Sequence, residues 1–165
     1  MSKLHMKKLA VAVAALGAVA IGSGEAQAAN TTGTFNVSIT LTSTCTLGTV
    51  GAVNFAYTSA QGGAQPGTGG AFNVTCTNQF PYTFGLFAGA TGATPPGTST
   101  INVTDNQVAL NYTLGLSAAG GTGNGASQSY NVTGTMGANQ SGTCTTASCT
   151  NGTSTNAVQT LILNY

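Results

Sequence analysis

The sequence predicts an all-β domain, an antiparallel sandwich, and three observations predict it. Apolar and polar residues alternate over many short runs, breaks rich in Gly, Pro and Asn separate those runs, and no run past the N-terminal segment has a helical period. Eight or nine strands punctuated in this way favour stacked antiparallel sheets over an alternation of strands and helices.

The chain opens with Lys3, His5, Lys7 and Lys8, continues with the apolar run Leu9 to Ile21, and reaches Ala26-Gln27-Ala28. Basic, apolar and small-x-small segments in that order predict a signal peptide cut after Ala28. The apolar run is shorter than the roughly 20 residues of a membrane-spanning helix, and no second run follows, which disfavours an anchor.

From Thr34 onward Phe35, Val37, Ile39 and Leu41 alternate with Asn36, Ser38, Thr40 and Thr42, the pattern of a strand with one buried face. Cys45 and Leu47 begin the next extended stretch, continued by Val53, Phe55 and Tyr57. Residues 61–70, with Pro66 and several glycines, read as an exposed loop. Phe72, Val74 and Cys76 mark a strand, as do Phe80, Tyr82, Phe84 and Leu86, with Pro81 at the start where a missing amide proton does least harm.

After a loop at Pro95-Pro96 come a short strand at Ile101 and Val103 and a turn at Asp105-Asn106. The most regular alternation follows, Val108, Leu110, Tyr112, Leu114 and Leu116. Residues 118–126 read as a Gly-rich loop, Tyr130 and Val132 as a strand, and the stretch around Cys144 and Cys149 as polar and irregular. Leu161, Leu163 and Tyr165 mark the last strand.

Past Ala28 the sole charged side chain is Asp105. Proton-moving mechanisms draw on His, Lys, Arg, Glu or paired carboxylates, so the composition argues against an enzyme and provides no catalytic residue. Asp105 reads as a turn cap, and the many Ser and Thr residues lack a base to activate them. With no Lys or Arg in this part, the cationic footprint needed for nucleic acid or anionic lipid is missing. Low charge also removes a common protection against self-association, which a polymerising protein does not need.

Four cysteines in an exported chain predict two disulfides, and the sequence alone allows three connectivities. The expected pairs are Cys45 with Cys76 and Cys144 with Cys149, contributing about 3.7 and about 2 kcal/mol through loop-closure entropy. With no His past Ala28 and no paired CxxC there is no zinc pattern, and no metal or cofactor is expected.

Three stretches resemble the spore coat protein U domain family, which includes subunits of archaic chaperone-usher pili. They are the leading strand ending in Thr44-Cys45-Thr46, the run Phe72-Asn73-Val74-Thr75-Cys76-Thr77 followed by Pro81-Tyr82-Thr83, and Thr160-Leu161-Ile162-Leu163-Asn164-Tyr165. Residues 132–142, with Gly134 and Gln140, are similar to that family's late segment. The resemblance implies an incomplete immunoglobulin-like antiparallel β-sandwich completed by a donor strand from a neighbouring subunit.

Residues 1–28 would then be the signal peptide, 29–43 the donor segment and 44–165 the pilin domain. Phe35, Val37, Ile39 and Leu41 would be the donor knobs, and burying them fully would contribute roughly 6 to 12 kcal/mol before ordering costs. Pairing of this strand within its own domain is the competing reading. In the family the last strand pairs with a periplasmic chaperone, which implies recognition through Leu161, Leu163 and Tyr165.

The implied partners are identical or related pilin subunits, a periplasmic chaperone and an outer-membrane usher, with no small-molecule cofactor. The implied location is a cell-surface fimbrium serving adhesion or biofilm formation. Cys144 and Cys149 lie outside the family's shared framework and read as a local staple. A surface or tip adhesin with its site in the loops at 91–98 or 118–125, and a secreted coat or matrix protein, are the alternatives.

Overall fold

The computed structural model describes residues 30–90 and 92–165, so the expected signal peptide lies outside the described residues. The chain divides into two units, residues 1–39 and 40–165. Eleven strands and no helix occur among the described residues, all of them in the second unit. In chain order they begin with β1 (Cys45–Leu47), β2 (Val53–Asn54), β3 (Gln65–Pro66), β4 (Thr68–Gly69) and β5 (Ala71–Cys76). Then follow β6 (Pro81–Phe87), β7 (Thr100–Thr104), β8 (Asn111–Leu116), β9 (Gly120–Thr122), β10 (Ser127–Met136) and β11 (Thr160–Asn164).

One sheet has the order β1-β5-β10-β8-β7 with β3 also on β10, a second has the order β11-β6-β9, and β2 pairs with β4. Every ladder is antiparallel. The two sheets communicate at their margins. Thr98 exchanges backbone hydrogen bonds with Leu86 of β6, and the chain then crosses to pair as β7 with β8. Between the sheets lies one core, in which Phe72 and Phe84 meet edge to face and Val74, Leu86, Leu114 and Val132 are buried. Period-2 alternation builds this core directly: β5 reads exposed-buried three times over.

Cys45 and Cys76 face each other across β1 and β5 and are joined, while Cys144 and Cys149 close a short exposed loop. The first staple is inside the core and the second on the surface.

The structure departs from the expected elements at four places. Residues 34–42 form no strand, and Phe35, Val37, Ile39 and Leu41 are 85%, 71%, 85% and 79% exposed. Alternation supplies a face to bury but not the neighbour that buries it, and a strand needs its backbone groups paired. Part of the expected loop at 61–70 is β3 and β4, because Gly69 and Gly70, at φ of 94° and 78°, let the chain bend against the carbonyls of Ala52 and Val132 without a side-chain clash.

The strand expected from Val108 begins only at Asn111. Asp105 accepts the backbone N–H groups of Gln107 and Val108 through its carboxylate, and its own N–H donates to the Leu110 carbonyl, which curls 105–110 into a turn. The Gly-rich stretch at 118–126 contributes β9, and β10 runs on through Gly134 to Met136, farther than its two obvious apolar residues indicate.

Candidate functional site

Two strand edges leave a groove open between them. β11 pairs with β6 on one side only, and β2 pairs only with β4, so both are edge strands among the described residues. The groove has a volume of about 830 Å³. One bank is the stretch Val50 to Phe55, and the other is Val158 to Leu161 at the start of β11.

The floor is the core itself. Leu86, Leu114, Val132 and Met136 are all buried and all line the groove, so an apolar occupant would extend the core rather than rest on a surface. Phe55 reaches the floor because β10 carries Gly134 and the β3–β4 link carries Gly67 directly beneath its ring. Phe55 also packs on Tyr112, with ring centroids 5.6 Å apart.

One end of the groove is polar. Asp105 lies there at 1% exposure, with Asn151 and Cys149 beside it in the lining. Its carboxylate accepts three hydrogen bonds, from the N–H groups of Gln107 (2.8 Å) and Val108 (2.9 Å) and from the Asn151 amide (3.0 Å). Burial pushes the Asp105 carboxyl upward, but the bonds from Val108, Asn151 and Gln107 outweigh it and hold the group below its ordinary value of 3.8. Burial pushes the neighbouring Tyr112 phenol above its ordinary value, and the Asp105 charge adds to that rise. Tyr112 donates its hydroxyl to the Asn156 carbonyl and accepts from Gln159, joining floor to bank.

This arrangement can receive an extended apolar segment through backbone pairing at the two edges and side-chain burial on the floor. It offers little to chemistry, since the one ionised group is occupied by its own turn and loop. Among the described residues, no cluster of three or more His, Cys, Asp or Glu is placed to hold a metal ion.

Of the residues singled out at the chain end, Leu161 lines the groove, Leu163 packs against the core, and Tyr165 is 63% exposed with its ring against Phe80. Phe35, Val37, Ile39 and Leu41 form a series of exposed apolar side chains. Sequence reasoning missed Val158, 57% exposed on the groove's bank, and the contribution of Val50 and Ala52. The signal for Val158 was that it is the one large aliphatic residue between Met136 and Leu161.

The family model for the Spore Coat Protein U domain covers residues 31–160. Neither the curated proteins nor the solved structures yield a match.

Proposed function

The chain belongs to the Spore Coat Protein U domain family, and on that premise we propose that it is a structural subunit of a surface fibre assembled by donor-strand exchange. One pairing of features supports this reading. The same chain carries an apolar groove between two strand edges and, separately, an exposed segment whose apolar residues recur with the period of a strand. A groove of this kind is an aggregation hazard unless covered, and a segment of this kind gains stability only when its alternate side chains are buried.

Residues 29–43 of one subunit would serve as donor and 44–165 of the next as acceptor. Phe35, Val37, Ile39 and Leu41 would enter the groove in turn, extending the contacts of Leu86, Leu114, Val132 and Met136. Before assembly, a periplasmic chaperone strand would cover the same groove, with Leu161 as the β11 contact nearest to it, and an outer-membrane usher would carry the exchange to the cell surface. The fibre would act in adhesion or biofilm formation.

The test is to delete Asn30 to Thr42 and then restore the segment as a synthetic peptide. Loss of polymerisation on deletion, with capture of the peptide as a capped monomer, is the expected result. Unchanged polymerisation and stability without the segment would sink the proposal.

A further inference from the structure

The polar end of the groove has a construction that turn formation alone does not require. A carboxylate that caps a turn needs one oxygen, and Asp105 uses Oδ1 for both the Gln107 and Val108 N–H groups. Its second oxygen, Oδ2, receives the Asn151 side-chain amide from 46 residues away. Both carboxylate oxygens can only accept, so the Asn151 amide is fixed with its NH₂ towards Asp105.

Around that bond the same two segments are laced together. Ser154 donates to the Asn106 side chain (2.6 Å), Asn106 donates to Thr155 (2.9 Å), and the Thr153 N–H donates to the Gln107 side chain (3.0 Å). The Asn156 amide donates to the Thr104 carbonyl (2.7 Å), and the Thr143 N–H to the Val108 carbonyl (2.8 Å). Residues 144–159 contain no strand, so these bonds, the Tyr112 bonds to Asn156 and Gln159 and the Cys144–Cys149 staple help to set their position. The laced segment is also part of the groove: Cys149, Thr150 and Asn151 line its end, and Ala157 and Val158 line its bank.

We propose that Asp105 is a positioning residue of the groove, holding the stapled loop through Asn151 as a fixed wall that determines how firmly an inserted strand is retained. The proposal rests on the donor-strand reading for the identity of the occupant, and on the lacing alone for the position of the wall. It assigns the one charge of the region past Ala28 a role in assembly. A charge-assisted hydrogen bond is about twice as strong as a neutral one, and from a buried site it can fix an otherwise irregular segment.

The test uses the exported chain unfolded and refolded with excess labelled peptide of residues 30–42, giving peptide-capped monomers whose release rate is read by dilution into unlabelled peptide. N151A removes the link to Oδ2 and leaves the turn intact; N151D sets a second carboxylate against the first. At neutral pH, N151A should release the peptide about tenfold faster than the parent chain, and N151D faster still. Hydrogen exchange should rise at 149–158 in both variants and stay unchanged in β5 and β10.

Release rates equal to the parent's would overturn the proposal, and so would equal rates for the Ala and Asp variants, since a wall indifferent to the Asp105 charge would not distinguish them. If the parent chain captures no peptide, the donor-strand reading fails instead. Exchange then decides the wall by itself: protection at 149–158 that survives N151A overturns it, and protection lost there alone supports it.

Discussion

Buried ionisable groups set the pH limits of this fold, Asp105 on the acid side and the Tyr82 and Tyr112 phenols on the alkaline side, and their signs follow from their surroundings. The Asp105 carboxyl is held below its ordinary value in the folded chain, so its contribution is complete above that value and is lost as pH falls through the lower folded value. The Tyr82 phenol, 3% exposed, is pushed up from 10.0 to about 12, first by burial and then by the hydrogen bond and charge interaction with Tyr130. The folded chain keeps that proton after the unfolded chain has lost it, so stability is complete below pH 10 and declines between 10 and about 12. Urea unfolding as a function of pH should therefore show a plateau from about pH 5 to 9, an acid limb below about 4 and an alkaline limb above 10. D105N should flatten the acid limb, and Y82F should make the alkaline limb shallower while costing about 1 kcal/mol at neutral pH for its lost bonds to Tyr130 and Gln128. An acid limb that persists in D105N would mean that Asp105 is not its source. D105A should cost about 3 kcal/mol, because the Gln107, Val108 and Asn151 donors lose their acceptor together.

At the scale of elements, the two disulfides differ in access more than in chemistry. Cys45 and Cys76 are 8% and 1% exposed within the β1–β5 ladder, whereas Cys144 and Cys149 lie in an exposed loop. Thiol exchange requires an attacking thiolate to reach sulfur, so mild reductant followed by alkylation should label Cys144 and Cys149 while the core pair stays joined. Labelling of Cys45 first in mass spectra would contradict this. Close approach sets a second constraint: β6 carries Gly85 where the Pro96 loop crosses it, and a Cβ there would collide with the Pro96 carbonyl oxygen and the backbone of Gly97. G85A should cost about 1–3 kcal/mol, read as a lower denaturation midpoint. The elements legible in the sequence were those whose alternation is met by a neighbour in the same chain, as in β5, β6, β7 and β11. What stayed hidden depended on contacts that alternation does not encode. β9 and the end of β10 are built on glycines, β3 and β4 hold a place in the sheet through positive-φ bends, and the strand expected at Val108 yields to the Asp105 turn. The groove was half legible: Leu161 was visible, but Val158 and the Asn151 wall depend on a polar loop whose placement comes from long-range hydrogen bonds.

At the scale of the whole molecule, the scarcity of charge bears on both the proposed assembly and resistance to protease. A subunit whose contacts are backbone pairing and apolar burial has little for salt to screen, so polymerisation in 0.02 M and 0.5 M sodium chloride should differ by less than about twofold. No Lys or Arg follows Ala28, so trypsin has no site in that region whether it is folded, reduced or heated. Chymotrypsin-like cleavage separates the free from the assembled subunit, because it recognises large apolar side chains and needs an accessible extended backbone. Phe35 and Leu41 are 85% and 79% exposed, whereas Phe72, Phe84 and Leu86 are at most 6% exposed. In an isolated subunit the first cuts should fall at Phe35 and Leu41, leaving the sandwich intact. In the fibre those sites would lie within a neighbour's groove, and cleavage there should slow by at least about a hundredfold, in line with opening free energies of several kcal/mol. Equal cleavage rates at Phe35 in subunit and fibre, followed on gels and by mass, would show that the segment stays uncovered on assembly and would remove it from the donor role.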